Sequence, residues 1–414
     1  MYRVSPFVPM FAKSLLGGVG IATLWVNLNP ASYYDAVEYR LADLAPPDWL
    51  AIAPSILTPR SLVSEGLMAL FMFYIGKELW EALVLERGAL SGRARATMPL
   101  GAVLGGMIGA VVVWLGCAAL FGAAEGAEGA TIGTGWPLPL GSDVVLCYFF
   151  GSTVFPRNHP ALHLLLLIAI AYDIIGLLVF GLAFPEASLR PVWLLVPLVL
   201  AGLVWAGVAR LGVGASVGAG GPPSERDRRR VMVLWPYVIA GAACWLGTLW
   251  SGLPGALGLL VMIPVIPHAE RSFGVFAEAE GLLHDPLNRL TQVVMRPLPW
   301  ILFLFGLTRG GVDLSTVSAT TGATLAALWI GKPIGLLCGA LAAGAMTGTI
   351  LPRDVRIKDL ILIAVLSGTG FTVPVLAIDS TLPGGLMAEA ARAGLALSLL
   401  AGPLAMLLGR LWRR

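Results

Sequence analysis

The stretch from Leu164 to Phe180, LLLLIAIAYDIIGLLVF, decides how the rest of the chain is interpreted. It is an apolar run with one carboxylate, Asp173, in its middle. An unpaired carboxylate at the centre of a bilayer costs roughly 2.5–3.5 kcal/mol on insertion scales. Such a residue normally faces the interior of a helix bundle or a water-filled cavity, and it marks an ion or proton path. The stretch therefore predicts a membrane helix that carries a functional carboxylate.

Composition places the whole chain in the same class. Of its 414 residues, 57% are hydrophobic and only 12% are charged, whereas a soluble domain carries about 25% charged residues. The apolar runs are continuous and lack alternation, which excludes an outer-membrane barrel. We therefore expect an all-α polytopic membrane protein. The net charge is +3 and no basic stripe is interleaved with aromatic residues, so nucleic-acid binding is not expected.

Hydropathy predicts about twelve membrane spans, since each needs roughly 20 apolar residues. They fall near residues 9–28, 62–85, 98–121, 137–155, 162–184, 192–211, 231–250, 255–267, 298–314, 318–346, 360–378 and 388–411. Basic residues gather in alternate loops, as at Arg87 and at Arg228 to Arg230, which predicts that both termini are cytoplasmic. Residues 212–230 are rich in glycine and then charged, and they predict a flexible cytoplasmic linker. The chain as a whole, residues 1–414, is expected to be one transmembrane domain.

Two of these spans are interrupted by poor helix formers. Asp143 follows Pro139 and Gly141 in PLPLGSDVVLCYFFG, and the eleventh span contains the sequence Ser367–Gly370, SGTG. Paired interruptions at corresponding places of two halves indicate a transporter site in a membrane protein. The hydroxyls of Ser142, Thr369 and Thr372 are expected to satisfy backbone groups, with cation contact as a second role.

Lys332 lies deep in the tenth span, in AALWIGKPIGLLCG. At that depth its ammonium cannot easily reach the membrane surface. We expect it beside a carboxylate, either Asp173 or Asp143. Asp173, Asp143 and Lys332 are therefore the candidate ion- and proton-binding residues, and Asp143 and Lys332 can also compensate the partial charges at the interrupted helix ends. A purely structural role for either residue stays open.

The second span ends with charged residues, in GKELWEAL. Lys77 and Glu81 are spaced i,i+4 and are expected to pair on one helix face. Together with Glu78 they predict the lining of a cytoplasmic funnel. A solvated helix end explains the same pattern equally well.

Taken together, these segments resemble the NhaA-type sodium/proton antiporter family. The likeness covers nearly the whole chain and is carried by SEGLMALFMFYIGKELWEAL, WPLPLGSDVVLCYFFG, AIAYDIIGLLVF, IGKPIGL and LSGTGFTVPVLA. It implies about twelve spans, with residues 98–184 and 318–411 as inverted-topology repeats and two broken, crossing helices, an architecture known for this family. It also implies a multi-pass homodimer in the cytoplasmic membrane.

The resemblance also implies roles for individual residues. Asp173 matches the carboxylate that is the metal ligand of the family. That carboxylate binds sodium or lithium and gives up a proton. Asp143 and Lys332 match the residues that compensate the helix dipoles. Glu78 matches a glutamate of the cytoplasmic pH-responsive cluster. No cofactor is implied beyond the transported ions, and the protein is expected to be a secondary transporter and not an enzyme.

One departure from the family pattern lies at the site itself. The family has two adjacent aspartates, and here the first position holds Tyr172. One proton carrier is thereby lost, and so is the carboxylate that the resemblance implies as a partner of Lys332. The departure predicts exchange of one cation for one proton, which is electroneutral, unless Lys332 also cycles its proton. Ion selectivity and pH range are left open.

Other functions fit parts of the pattern. A proton-coupled transporter of another cation, or a sensor that has lost exchange, would keep the same polar residues. An intramembrane aspartyl protease shares the Tyr172-Asp173 pair, but it needs a second aspartate in a GxGD turn, and the comparable turn Gly368–Phe371 has no aspartate. A channel is disfavoured because no ring of charges or repeated filter segment is present.

Overall fold

The computed structural model describes residues 7–44, 55–85, 93–125, 132–156, 159–185, 188–210, 232–268, 275–277, 283–348 and 355–413. The predicted linker 212–230 and the basic loop residues Arg87 and Arg228 to Arg230 lie outside these ranges, so the predictions for them stay predictions.

The chain is built almost entirely from helices. They are α1 (Phe7–Leu28), α2 (Pro30–Val37), α3 (Met68–Val84), α4 (Arg93–Glu125), α5 (Val144–Val154), α6 (Pro160–Ala183), α7 (Leu195–Arg210), α8 (Trp235–Ser251), α9 (Pro286–Met295), α10 (Leu298–Arg309), α11 (Ala319–Ala326), α12 (Lys332–Thr347), α13 (Ile357–Ser367), α14 (Thr372–Thr381), α15 (Leu386–Ser398) and α16 (Ala401–Arg413). The expectation of an all-α membrane protein is confirmed. A small antiparallel hairpin, β1 (Ala42–Leu44) with β2 (Ser55–Leu57), was not predicted.

Shorter helical pieces fill several gaps between these helices. A helical turn at Pro59–Ser61 and a π-helical segment at Leu62–Leu67 lead into α3, and a second π-helical segment, Ala327–Gly331, joins α11 to α12. Short 3₁₀ segments occur at Gly133–Gly135, Leu138–Leu140, Pro191–Leu194, Gly255–Leu257 and Leu260–Val265.

Within the described residues, six helical stretches are long and apolar enough to cross a membrane, or up to eight if two bent pairs are each one span. Shorter apolar helices lie at Val144–Val154 and Gly255–Val265. All twelve predicted stretches contain helical residues, but the number twelve itself stays a prediction. Predicted span 255–267 is two 3₁₀ segments instead of an α-helix, because Pro254, Gly258 and Pro264 interrupt regular hydrogen bonding.

Helix α6, which carries Asp173, lies at the centre of the protein. In the most apolar 18-residue stretch of α6, 78% of the residues are buried. The corresponding share is 33% for α4 and 11% for Pro191–Val208. A helix that is apolar on every side is stable only when it is surrounded by protein or lipid. Here α6 packs against α3, α4, α5, α13 and α14. The carboxylate of Asp173 is therefore held inside the bundle, as the sequence predicts.

Both predicted interruptions are present. Helix α5 begins at Val144, after a 3₁₀ turn at Leu138–Leu140 and three residues without helical structure. Helices α13 and α14 meet at an angle of 43° across the break at residues 368–371. Each break leaves N–H and C=O groups without partners in their own helix, and these groups face each other in the bundle interior.

A glycine seam brings α4 and α12 into close contact. Gly101, Gly105 and Gly109 of α4 face glycines on the other side of the seam, and a Cβ at any of these positions would overlap backbone atoms of the facing helix. The facing glycines are Gly331, Gly335 and Gly339. Small residues allow such close approach of helices in lipid. The seam fixes the start of α12, and with it Lys332, against α4.

The seam predicts that glycine is required at its centre. Gly105→Ala would press a methyl group against Gly339 of α12, and we expect a loss of about 1–3 kcal/mol from overpacking. Thermal unfolding in detergent should show a lower melting temperature. Gly116→Ala on the same helix, where nothing lies within 4 Å of the added carbon, is the matched control and should leave the melting temperature unchanged or slightly raised. Equal melting temperatures for the two variants would contradict the close packing.

Candidate functional site

Two buried aspartates meet at the break before α5. The backbone N–H of Ser142 donates to Asp173 Oδ1 at 3.0 Å. The next residue, Asp143, caps α5 by accepting from the Leu146 N–H at 2.8 Å. Both carboxylates are fully buried. The interrupted segment thus brings the two acids that the sequence singles out into one buried region.

Each of these carboxylates keeps one unsatisfied oxygen. Oδ2 of Asp143 and Oδ2 of Asp173 are buried and accept no hydrogen bond from the part of the chain that the structure describes. A buried charged oxygen without a partner is costly, because it has lost water and gained nothing in return. A proton or a metal cation at either oxygen would remove that cost.

Lys332 joins the same cluster through backbone and ring contacts. Its ammonium donates to the Gly141 carbonyl and lies 4.6 Å from the centre of the Tyr172 ring. It acts on Asp173 electrostatically, but no ion pair within 4 Å links it to a carboxylate in the described ranges. The expected direct pair with Asp173 or Asp143 is therefore not formed.

The two broken helices are tied to each other at their crossing. The Asp143 N–H donates to the Thr369 carbonyl at 3.1 Å, and Ser142 Oγ donates to the Ser367 carbonyl at 2.8 Å. Thr369 Oγ1 donates to the Leu366 carbonyl at 2.8 Å, and Thr372 Oγ1 reaches the Ser142 carbonyl at 3.5 Å. The hydroxyls at the crossing thus serve backbone carbonyls, which is the first of the two roles expected for them.

The charged end of α3 forms a second cluster. Lys77 Nζ lies 3.0 Å from Glu81 and 3.5 Å from Glu78, and these side chains are at most 5% exposed. Glu78 also accepts from the Phe276 N–H at 2.6 Å. Phe276 has a positive φ of 54°, which is unusual for a bulky residue. The predicted i,i+4 pair is present, and the alternative of a solvated helix end is wrong, because the cluster is buried.

A third ionic cluster was missed by the sequence reasoning. Asp379, at the end of α14, accepts from three guanidinium groups, those of Arg60, Arg309 and Arg392. Arg392 also pairs with Glu389. The signal was present, because Asp379 and Arg392 are charged residues at or inside apolar segments, where ionisable groups are rare.

Helix α2 and its C-cap residue Glu38 contact this third cluster. The Tyr34 hydroxyl donates to Glu389 Oε1 at 2.7 Å, and Arg60 pairs with Glu38 at 3.0 Å. Burial raises the pKa of Tyr34, and the bond to the Glu389 carboxylate raises it further. Helix α2 is therefore attached to the bundle through the arginine cluster.

A cavity of about 190 Å³ lies between the Asp379 cluster and α6. Arg60, Arg309 and Asp379 line one side of it, and Leu177 and Phe180 line another. Leu177 and Phe180 follow Asp173 by one and two helical turns. The cavity therefore approaches the buried aspartate from the C-terminal end of α6. Within the described residues no cluster of three or more His, Cys, Asp or Glu side chains suits a bound metal.

Comparison with known proteins gives similarity along the whole chain. Residues 12–409 match the family model described as Na+/H+ antiporter 1. The Na(+)/H(+) antiporter NhaA of Jannaschia sp. (strain CCS1) is 36% identical, over 99% of this chain and 98% of its own length. The Na(+)/H(+) antiporter NhaA 2 of Pelobacter propionicus is 32% identical, over 97% and 96% of the two chains. The antiporter NhaA of Geobacter sulfurreducens is 32% identical, over 88% and 86%.

The arginine cluster predicts a specific loss of stability. Asp379→Asn keeps the shape of the side chain but leaves three guanidinium groups without the charge that holds them together. Because the cluster is partly exposed, we expect a loss of about 1–3 kcal/mol, seen as a lower melting temperature in detergent. The control is Asp43→Asn in the exposed pair with Arg40, whose side chains are 68% and 65% exposed. It should change stability by less than about 0.5 kcal/mol. An unchanged melting temperature in Asp379→Asn would show that the cluster does not stabilise the fold.

Proposed function

The chain belongs to the Na+/H+ antiporter 1 family, and from this premise we propose that it exchanges sodium for protons, with Asp173 carrying the two ions in turn. The observation that carries this assignment is the buried, unpartnered Oδ2 of Asp173 beside the crossing of two broken helices. Oxygen is the ligand atom that hard cations prefer, and a proton binds the same atom. The protein is a transporter, and no covalent step is needed.

Competition at one carboxylate couples the two ions. The Ser142 N–H holds Oδ1 of Asp173 in place, so the free oxygen Oδ2 keeps a fixed position. Protonation removes the negative charge that attracts sodium, and bound sodium disfavours protonation. Asp173 therefore binds one ion or the other and never both, which is what obligatory exchange requires.

Asp143 and Lys332 are proposed to serve the crossing and not to bind the transported ion. Asp143 lies at the N-terminus of α5, where the helix dipole is positive, and it caps that helix by accepting from the Leu146 N–H. Lys332 lies at the carbonyl end of the 3₁₀ turn Leu138–Leu140. Each charge opposes the partial charge of its helix end. They make a broken backbone stable at membrane depth.

Alternating access is the proposed route through the membrane. The repeats proposed at residues 98–184 and 318–411 would contribute α4 to α6 and α11 to α16, with the ion site at their crossing. The cavity beside Asp379 would be the external approach, and the cluster of Lys77, Glu78 and Glu81 would line the cytoplasmic one. Insertion in the cytoplasmic membrane, cytoplasmic termini and a homodimer are parts of the same proposal.

Tyr172 supports an exchange of one sodium for one proton. Its phenol replaces the acid that would otherwise add a second proton carrier next to Asp173. With one carboxylate cycling and Lys332 bound to the Gly141 carbonyl, each turnover moves one positive charge in each direction. The exchange is then electroneutral.

The role of Asp173 as the ion carrier can be tested by removing its charge. In vesicles containing a pH dye, Asp173→Asn should abolish sodium-dependent proton movement, because an amide binds neither ion by charge. Asp35→Asn, on the exposed surface of α2, is the control and should exchange like the unmodified protein. Exchange at the normal rate in Asp173→Asn would remove Asp173 from the mechanism. Running lithium and potassium in the same assay tests the alternative that another cation is carried, and a voltage created by sodium would contradict one-for-one exchange.

Competition between sodium and protons at Asp173 predicts that the apparent KM for sodium depends on pH. Below the pKa of the Asp173 carboxyl group the proton occupies the site, so sodium must compete with it. The apparent KM for sodium should then rise about tenfold for each unit of pH decrease and level off above that pKa. Initial rates at a series of sodium concentrations and pH values measure this directly. A sodium KM that stays constant as pH falls, while the maximal rate drops, would show that protons act at another group.

A further inference from the structure

The surroundings of Tyr172 are shaped for a tyrosine. The side chain is fully buried on α6, next to Asp173. Its hydroxyl donates to the Ala102 carbonyl of α4 at 3.2 Å. One turn further along α4, Gly106 faces the same hydroxyl, and a Cβ at Gly106 would overlap the oxygen. Helix α4 thus offers both an acceptor for the phenol and the space that it fills.

The face of the Tyr172 ring contacts a cation. Lys332 Nζ lies 4.6 Å from the ring centre, within the range in which a cation is attracted to an aromatic face. The same ammonium donates to the Gly141 carbonyl. Lys332 therefore has two attractive contacts, one with a ring and one with a backbone oxygen, and neither of them is with a carboxylate.

Asp173 competes with these two contacts for the Lys332 ammonium. The Oδ2 atom of Asp173 has no hydrogen-bond donor, and Lys332 and Asp173 attract each other electrostatically. In a buried site an ion pair between them would be favourable. It would also occupy the oxygen that sodium needs.

We propose that Tyr172, fitted against Gly106 and bonded to Ala102, is a positioning residue that holds the Lys332 ammonium on the Gly141 carbonyl and away from Asp173. Sodium then meets a carboxylate that has no resident counter-ion. This inference rests on the proposed function, in which Asp173 carries the ion. It adds that the residue replacing an acid at this site determines how strongly sodium binds.

Two substitutions at position 172 distinguish the effect of the aromatic ring from the effect of side-chain volume. Tyr172→Leu removes the aromatic face, so the lysine is free to pair with Asp173. We expect the apparent KM for sodium to rise about tenfold, with the maximal rate changed by less than about threefold. Tyr172→Phe keeps the ring and loses only the bond to Ala102, and it should stay within about threefold of the unmodified KM. Equal KM values for the Leu and Phe variants would overturn the proposal, because a space-filling role does not distinguish them.

The fit against Gly106 gives an independent test. Gly106→Ala should displace the phenol and raise the KM for sodium as Tyr172→Leu does. Adding Tyr172→Phe to Gly106→Ala removes the oxygen that the new methyl group meets, and it should recover part of the lost affinity. Gly116→Ala, which meets nothing within 4 Å, is the control. A normal KM in Gly106→Ala, or a raised KM with no recovery in the double variant, would contradict the proposal.

Binding is followed separately from transport, as the rise in melting temperature with added sodium. A variant that no longer transports therefore still reports its sodium affinity. The same measurement distinguishes the two proposals. Normal sodium-dependent stabilisation in Asp173→Asn would refute the proposed function itself. Loss of stabilisation in Asp173→Asn, with unchanged affinity in Tyr172→Leu, would refute only the role of Tyr172.

Discussion

The structure depends on the compensation of charge where two interrupted helices cross. A broken helix inside a membrane leaves N–H and C=O groups that water cannot reach. Here Asp143 serves the N–H end of α5, Lys332 serves the Gly141 carbonyl, and Ser142 bonds to both Asp173 and the facing backbone. The central burial of α6 and the glycine seam meet this requirement, because they bring three helices close enough to supply those charges.

The three ionic clusters differ in how completely they satisfy their own charges. Lys77 lies within 3.5 Å of two glutamates, and Asp379 is surrounded by three arginines. Each of these sets holds opposite charges in direct contact, so little charge is left for another ion. Asp173 is different, because its nearest cation is bound to a carbonyl and a ring. An incompletely neutralised acid is what a passing ion can use, so packing and transport make opposite demands on neighbouring parts of the bundle.

The sequence was sufficient for the features that follow from one helix at a time. Asp173 in the middle of an apolar run, and the breaks at Gly141 and Ser367–Gly370, are visible because charge, glycine and proline have strong local effects. The partner of Lys332 was not predictable, because a backbone carbonyl has no sequence signature and the choice between Gly141 and Asp173 depends on distances of a few ångströms. The arginine cluster was missed for a related reason, since Arg60, Arg309 and Arg392 are far apart in the chain. The 3₁₀ geometry of span 255–267 was not predicted, because hydropathy measures apolar length and not helix type.

The π-helical segment Ala327–Gly331, immediately before Lys332, has a consequence for how this site is encoded. A π-helical hydrogen bond spans one residue more than an α-helical one. The extra residue rotates the side chains after it by about 100° relative to an uninterrupted helix. The direction of the lysine is therefore set by the number of residues in the segment and hardly by their identity. Exchanges among apolar side chains there would keep that direction, except at Gly331, where a Cβ would overlap the Gly109 carbonyl of the glycine seam. Loss of a single residue would turn the ammonium to another side of the helix. Insertions and deletions, more than substitutions, are what this part of the gene must avoid.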